Sequence, residues 1–184
     1  MKITVIRHEK VDYHWKILYR PQGVVCAFRA YDESPVIPRT ADTISTNAPI
    51  YISELRRTYE TAVKIFGKKQ FIRSPLFNEV PIRPFTDMDI FIPTVVWDGI
   101  GRLQWKFKNS RQPEKRPETW SRANRAVDFL EAANEDCYVI SHAFYMRSLI
   151  HVLKQRGYHG KFGMLWIHNL QRFVFSKDLS PYNS

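Results

Sequence analysis

Residues 50–67 read IYISELRRTYETAVKIFG, and they hold both halves of an α/β unit. The short apolar run before Ser53 has the character of a buried strand. Beyond it Leu55, Tyr59, Ala62, Val63 and Phe66 recur at helical spacing. Ser53 is the residue type that caps a first turn, and Gly67 is the type that stops a helix. A strand therefore feeds a helix.

The same alternation extends in both directions. KITVIR (2–7) reads as a strand, ETWSRANRAVDFLEAAN (118–134) as a helix, CYVIS (137–141) as a strand and AFYMRSLIHVLKQRG (143–157) as a helix ending at Gly157. The tail MLWIHNLQRFVFS (164–176) reads as two strand-like runs about an Asn169-Leu170 turn. Residues 75–117 hold six of the 11 prolines, which predicts short, broken structure there. The expected fold is a three-layer α/β/α sandwich with a mainly parallel central sheet, carried by a single domain over residues 1–184, with residues 83–116 as an insertion or lid.

The composition bounds the function. Of 184 residues 44% are hydrophobic and 25% charged, which is globular and not disordered. No apolar stretch approaches the roughly 20 residues of a membrane span, and MKITVIRHEK becomes charged too early for a secretory signal, so a cytoplasmic chain without a membrane partner is expected. Cys26 and Cys137 form neither a disulfide framework nor a zinc knuckle, and His14, His151, His159 and His168 show no paired metal spacing. A net charge of +10 points to an anionic partner. The densest basic stretch, residues 102–116, interleaves Trp105 and Phe107 with six Lys or Arg, a pattern that also suits single-stranded nucleic acid; a solvated segment with inward aromatics is the preferred reading.

Parallel sheets place their chemistry at the carboxyl ends of strands. Arg7-His8 ends the first strand, Ser53 to Arg57 follows the second, and Ser141-His142 ends a third. If these strands are neighbours, two histidines and two arginines meet where helices open, and helix N-termini add N–H donors and positive dipole ends. A phosphoryl group suits such a pocket, because arginine donates fork-shaped hydrogen bonds to its oxygens and a histidine nitrogen can attack phosphorus.

At these residues the chain resembles the histidine phosphatase superfamily, in the branch that includes phosphoglycerate mutase-like enzymes. Three segments carry the resemblance in order: VIRHEK, ISELRRTYETA and VISHAFYMRSL. In the middle one Ser53, Leu55, Arg57, Thr61 and Ala62 occupy the places of the family's Ser-x-Leu-x-Arg followed by x-x-x-Thr-Ala. Asp32, Pro35 and Val36 give a faint echo of its Asp-x-Pro-Leu segment. The resemblance implies attack by His8 on a phosphoryl group and a phosphohistidine that water then hydrolyses, with no metal or other cofactor. It implies Arg7, Arg57 and His142 around the phosphoryl oxygens, Ala143 at a phosphate-binding position, and Glu79 as proton donor, with Asp87 and Asp89 as fallbacks. Arg20 and Arg29 fall where family members recruit substrate-binding groups.

Two departures stand out. Ala143 replaces the glycine after the last histidine, and Glu9 replaces the glycine after the first. A carboxylate aimed into the pocket would repel phosphate; the preferred reading is that strand alternation turns Glu9 away, and the other is that it binds a cationic part of the substrate or acts as a base. The implied activity is a metal-independent phosphatase acting on a small phosphate ester or a phosphoprotein. The alternatives are a mutase-like phosphotransferase and a pseudoenzyme that binds phospho-ligands; a nucleic-acid role ranks last. Substrate identity and oligomeric state stay open.

Overall fold

The computed structural model describes residues 1–38, 42–163 and 166–178. In chain order the elements are β1 (Lys2–Arg7), β2 (Leu18–Tyr19), α1 (Pro21–Glu33), β3 (Ile50–Ile52), α2 (Arg56–Phe66), β4 (Ile72–Arg73), a 3₁₀ turn at Pro75–Phe77, β5 (Ile92–Pro93), α3 (Thr94–Lys106), α4 (Arg116–Ala133), β6 (Cys137–Ser141), α5 (Ala143–Gln155) and β7 (Arg172–Ser176). The main sheet has the order β4-β3-β6-β1-β7, parallel except for β7, which runs antiparallel along the edge of β1. This is the expected α/β architecture with a mainly parallel sheet flanked by helices.

Both sheet faces are covered, which is why β1 and β6 read as nearly continuous apolar runs. Ile3, Val5 and Val139 pack with Ala123, Val127 and Leu130 of α4 and with Met146, Leu149 and Leu153 of α5. Ile6, Ile52 and Ile140 face the other way, against Ala62, Ile65 and Phe66 of α2. Gly67 ends α2 at φ 75°, a left-handed conformation that glycine adopts at little cost.

The structure departs from expectation in the connecting segments. Residues 94–106 form a regular helix, α3, where proline content suggested broken structure. Glycines at 99 and 101 mask its periodicity. Gly101 is there for close packing, since a Cβ on it would sit 2.6 Å from Ile82 Cγ2. Helix α1 was likewise not anticipated, although Pro21 lies in its first turn, where proline is favoured. Val24 and Ala27 of α1 join Tyr19, Ile92 and Trp97 in a third cluster that holds α1, α3 and the β2–β5 pair together. Among the described residues of the tail only the second run is a strand, and it pairs with β1. Leu170, at φ 61°, makes the turn; Met164 and Leu165, which begin the first run, lie outside the described residues. No helix of the described residues is long and apolar enough to cross a membrane.

Candidate active site

Pairing registers bring the three strand ends together: Arg7 lies opposite Ser141 across β1 and β6, and Ile140 opposite Ile52 across β6 and β3. A cavity of about 680 Å³ opens at this edge. Arg7, His8, Arg57, Glu79 and Ala143 line it.

His8 is buried, and its Nδ1 lies 2.6 Å from the carbonyl oxygen of Glu9. A carbonyl only accepts, so Nδ1 carries the hydrogen and Nε2 keeps the lone pair. Burial, reinforced by the charges of Arg57 and Arg7 against a smaller opposing effect of the Glu9 carbonyl, holds the imidazole pKa well below its ordinary value. The ring is therefore neutral at neutral pH, as a nucleophile must be.

His142 sits with its ring centroid 5.0 Å from that of His8. The Nε–H of Arg57 donates to its Nδ1 at 3.1 Å, which leaves the proton on Nε2, and Nε2–H donates to Ser53 Oγ at 2.8 Å. Its pKa is also well below normal, through burial first and then the charge of Arg57. Sequence reasoning expected His142 among the groups touching the phosphoryl oxygens. Instead, both ring nitrogens are already taken, and the residue does not line the cavity. Ser53 differs too: α2 starts at Arg56 with Leu55 as its cap, and the serine hydroxyl accepts the Leu55 N–H just before the helix while it also serves His142.

Arg57 also ion-pairs with Asp32, Nη1 to Oδ1 at 2.6 Å, and lies over the Tyr31 ring. Asp32, the residue of the faint echo, thus belongs to the cavity wall. Arg7 donates through Nη1 to the Ile167 carbonyl, while its buried Nε–H finds no acceptor among the described residues. A buried donor without a partner is costly, and an incoming anion would satisfy it.

Glu79 follows the 3₁₀ turn, and its carboxylate accepts the N–H of Tyr145 at 2.9 Å, of Phe144 at 3.3 Å and of Val80 at 2.9 Å. It thereby caps α5, whose own N-cap His142 makes no side-chain cap. Ala143 opens that helix without positive φ, so the methyl group is tolerated where the family has glycine.

Glu9 is turned away from the cavity. Its Oε1 accepts the N–H of Lys10 at 2.7 Å and its Oε2 lies 3.5 Å from Lys64 Nζ. Thr61 accepts the Glu9 N–H and donates to the Arg57 carbonyl, tying the exit of β1 to the first turn of α2. A substrate contact for Glu9 therefore does not fit this geometry. Nor does one for Arg20, which pairs with Asp89 and stacks on Phe91 outside the cavity, or for Arg29, exposed on α1 and not part of the lining. The fallback donors fare no better: Asp89 is held by Arg20 and Asp87 by Arg111.

The rest of the cavity was not foreseen. Trp15, Phe28 and Tyr31 form one wall, and Arg102 with Asp98 and Arg122 with Glu114 form another. Val24, Ala27, Phe28 and Tyr31 at helical spacing after Pro21 were the missed signal for the aromatic wall. Nothing local marks Arg122 as part of the site, since the carbonyls that hold it there lie 44 to 47 residues away in residues 75–78. In the basic stretch Trp105 packs inward and donates to Thr119, while Phe107 is exposed.

Comparison with known proteins bears on this arrangement. The chain overlays on phosphoserine phosphatase of Entamoeba histolytica in complex with 3-phosphoglyceric acid, with 16% identity, a TM-score of 0.56 and coverage of 94% of this chain and 89% of that one. A mycobacterial glucosyl-3-phosphoglycerate phosphatase gives 17% identity and a TM-score of 0.53 over 84% of this chain and 79% of its own. The structure titled mycobacterial hydrolase 2 gives 17% and 0.56 over 98% and 85%. At such identities the likeness establishes the fold. No curated protein matches the sequence. The model of the histidine phosphatase superfamily, branch 1, matches residues 38–172, spanning all of the chain from before β3 to the start of β7, and the chain belongs to that superfamily.

Proposed function

We propose that the protein is a metal-independent phosphatase that hydrolyses a phosphomonoester through a phosphohistidine on His8. The observation that carries this reading is the placement of His8: it lines the cavity with Arg7 and Arg57, and its Nδ1 on the Glu9 carbonyl holds the hydrogen there and leaves the Nε2 lone pair free. Nε2 forms the N–P bond as the bond from phosphorus to the ester oxygen breaks. Arg7 and Arg57 take the charge that spreads over the equatorial oxygens, each such donor contributing roughly 2.7 to 4 kcal/mol. His142 acts through Arg57: it accepts the Arg57 Nε–H, and its own Nε2–H is fixed by Ser53.

Glu79 protonates the departing alkoxide and, in the second step, takes the proton of the attacking water. Four carboxylates line the cavity, and three are committed to arginines: Asp32 to Arg57, Asp98 to Arg102, Glu114 to Arg122. Glu79 is the one of the four not committed to an arginine, which is why the proton transfers are assigned to it; it must enter the first step protonated, giving up an amide N–H contact for that proton. Residues 83–116 act as the cover of the leaving-group side, through Asp98, Arg102 and Glu114. The phosphatases of small esters among the structural neighbours support a small-molecule substrate.

The test is hydrolysis of para-nitrophenyl phosphate in EDTA by wild type and His8→Ala, with acid-labile phosphoenzyme trapped from the same samples. Turnover and phosphoenzyme that both vanish in the variant are expected. Turnover that survives it would overturn the assignment of His8.

A further inference from the structure

The phosphoryl end occupies a small part of a cavity of about 680 Å³, a volume in the range that holds a drug-sized ligand. What surrounds the remainder is chemically uneven. On one side Trp15, Phe28 and Tyr31 line the space. Their rings pack on one another, Trp15 with Phe28 at 5.7 Å and with Tyr31 at 5.3 Å, and Tyr13 and Tyr19 buttress Trp15 from behind. Trp15 keeps 37% of its surface exposed even so, beside a binding cavity that it lines.

On the other side the cations are spent. Arg102 pairs with Asp98 at 3.4 Å and lies 3.8 Å above the Phe144 ring. Arg122 is gripped by Glu114, donates to the carbonyls of Leu76 and Asn78, and covers the Tyr145 ring at 4.2 Å. Beyond Arg7 and Arg57, then, the lining offers among the described residues no cation that is not matched by a carboxylate. A second phosphate or a carboxylate on the leaving group would meet Asp98 and Glu114 as much as the arginines, whereas a flat ring would meet an aromatic surface.

From this juxtaposition we infer that the site selects monophosphate esters whose alcohol carries an aromatic ring and no second strongly anionic group. The inference rests on the phosphatase reading for the placement of the phosphoryl group at His8. A ring laid on Trp15 gains stacking of the order seen for bases on aromatic side chains, which corresponds to about 5- to 150-fold in affinity. The ring can belong to a nucleoside or to a phenol, and the two sources are separable.

The experiment uses matched pairs that differ in the ring-bearing part: adenosine 5′-monophosphate against ribose 5-phosphate, and phenyl phosphate against cyclohexyl phosphate, with 2,3-bisphosphoglycerate as the control that carries further anionic groups. Affinities are measured by calorimetry on His8→Ala and on His8→Gln, so that one poorly folded variant does not decide the outcome. The kcat/KM ratios are measured on the wild type. The expected result is at least a fivefold preference for the aromatic member of one pair, which also names the source, with the bisphosphate no tighter than ribose 5-phosphate. Trp15→Ala should bring that preference close to one. Equal binding within both pairs, or tighter binding of the bisphosphate, overturns the inference. If the wild type hydrolyses none of these esters, the phosphatase reading fails separately, because the binding ratios still decide which leaving group the cavity takes.

Discussion

Arg57 holds His142 by a 3.1 Å hydrogen bond from Nε–H to Nδ1 while its Nη1 reaches Asp32 at 2.6 Å, so one guanidinium orders a buried imidazole and a carboxylate at the cavity wall together. A lysine keeps the charge and loses the fork. Arg57→Lys should lower kcat/KM for phosphate esters by about 10²- to 10³-fold, the size seen when one preorganised donor is removed. A fall of only a few-fold in steady-state kinetics would mean that charge alone suffices.

Asp32 places a negative charge beside the phosphoryl end and competes with phosphate for Arg57. Its side chain is about half exposed, where a unit charge a few ångströms away contributes on the order of 1 kcal/mol. Asp32→Asn should tighten binding of inorganic phosphate about fivefold in calorimetry or product inhibition. Weaker binding would show instead that Asp32 is needed to aim Arg57.

Glu79→Gln retains an oxygen that can accept from the first turn of α5 but has no proton to give. Turnover of alkyl phosphates should drop about 10²- to 10⁴-fold. For para-nitrophenyl phosphate, whose phenolate leaves without protonation, the loss should be much smaller. Equal losses for both esters would reassign Glu79 to capping.

Glu9→Gln removes one partner of a largely buried ion pair with Lys64. Breaking such a pair is destabilising, and with Lys64 partly solvated the expected cost is about 1–3 kcal/mol in urea unfolding. Because Glu9 faces away from the cavity, kcat should hardly move. A large change in KM with unchanged stability would put the carboxylate in the site after all.

Burial pushes both His8 and His142 well below the ordinary histidine range. The unfolded chain binds protons at these two residues below about pH 6.5 that the folded chain refuses. Stability should therefore be flat above that pH and fall as acidity increases, with a slope approaching two protons in the window between the unfolded and the lowered folded values. His142→Gln should reduce that slope by about one proton, measured as unfolding free energy against pH. An unchanged slope would locate the acid sensitivity elsewhere.

Much of the fold was legible because its signals are local. Residues 50–67 declare a strand and a helix through spacing alone, and Gly67 stops that helix where its positive φ requires a glycine. The connecting segments were harder: in α3 the glycines that let the helix approach Ile82 also erase its pattern. In the tail, β7 was legible as a strand, but its partner was not, since it pairs with β1 from the other end of the chain.

The site divides in the same way. From the sequence alone came the alternation of strands and helices, the three strand ends with Arg7-His8, Ser53 to Arg57 and Ser141-His142, and the side to which Glu9 would turn, because backbone periodicity and strand ends are properties of neighbouring residues. The tertiary structure alone decided that His142 spends its nitrogens on Arg57 and Ser53, that Asp32 closes on Arg57, that Glu79 caps α5 and that Trp15, Phe28 and Tyr31 wall the cavity. Each of these depends on side chains meeting across tens of residues or on how separate elements pack around the cavity, and that geometry exists only once the sheet and its covering helices have assembled.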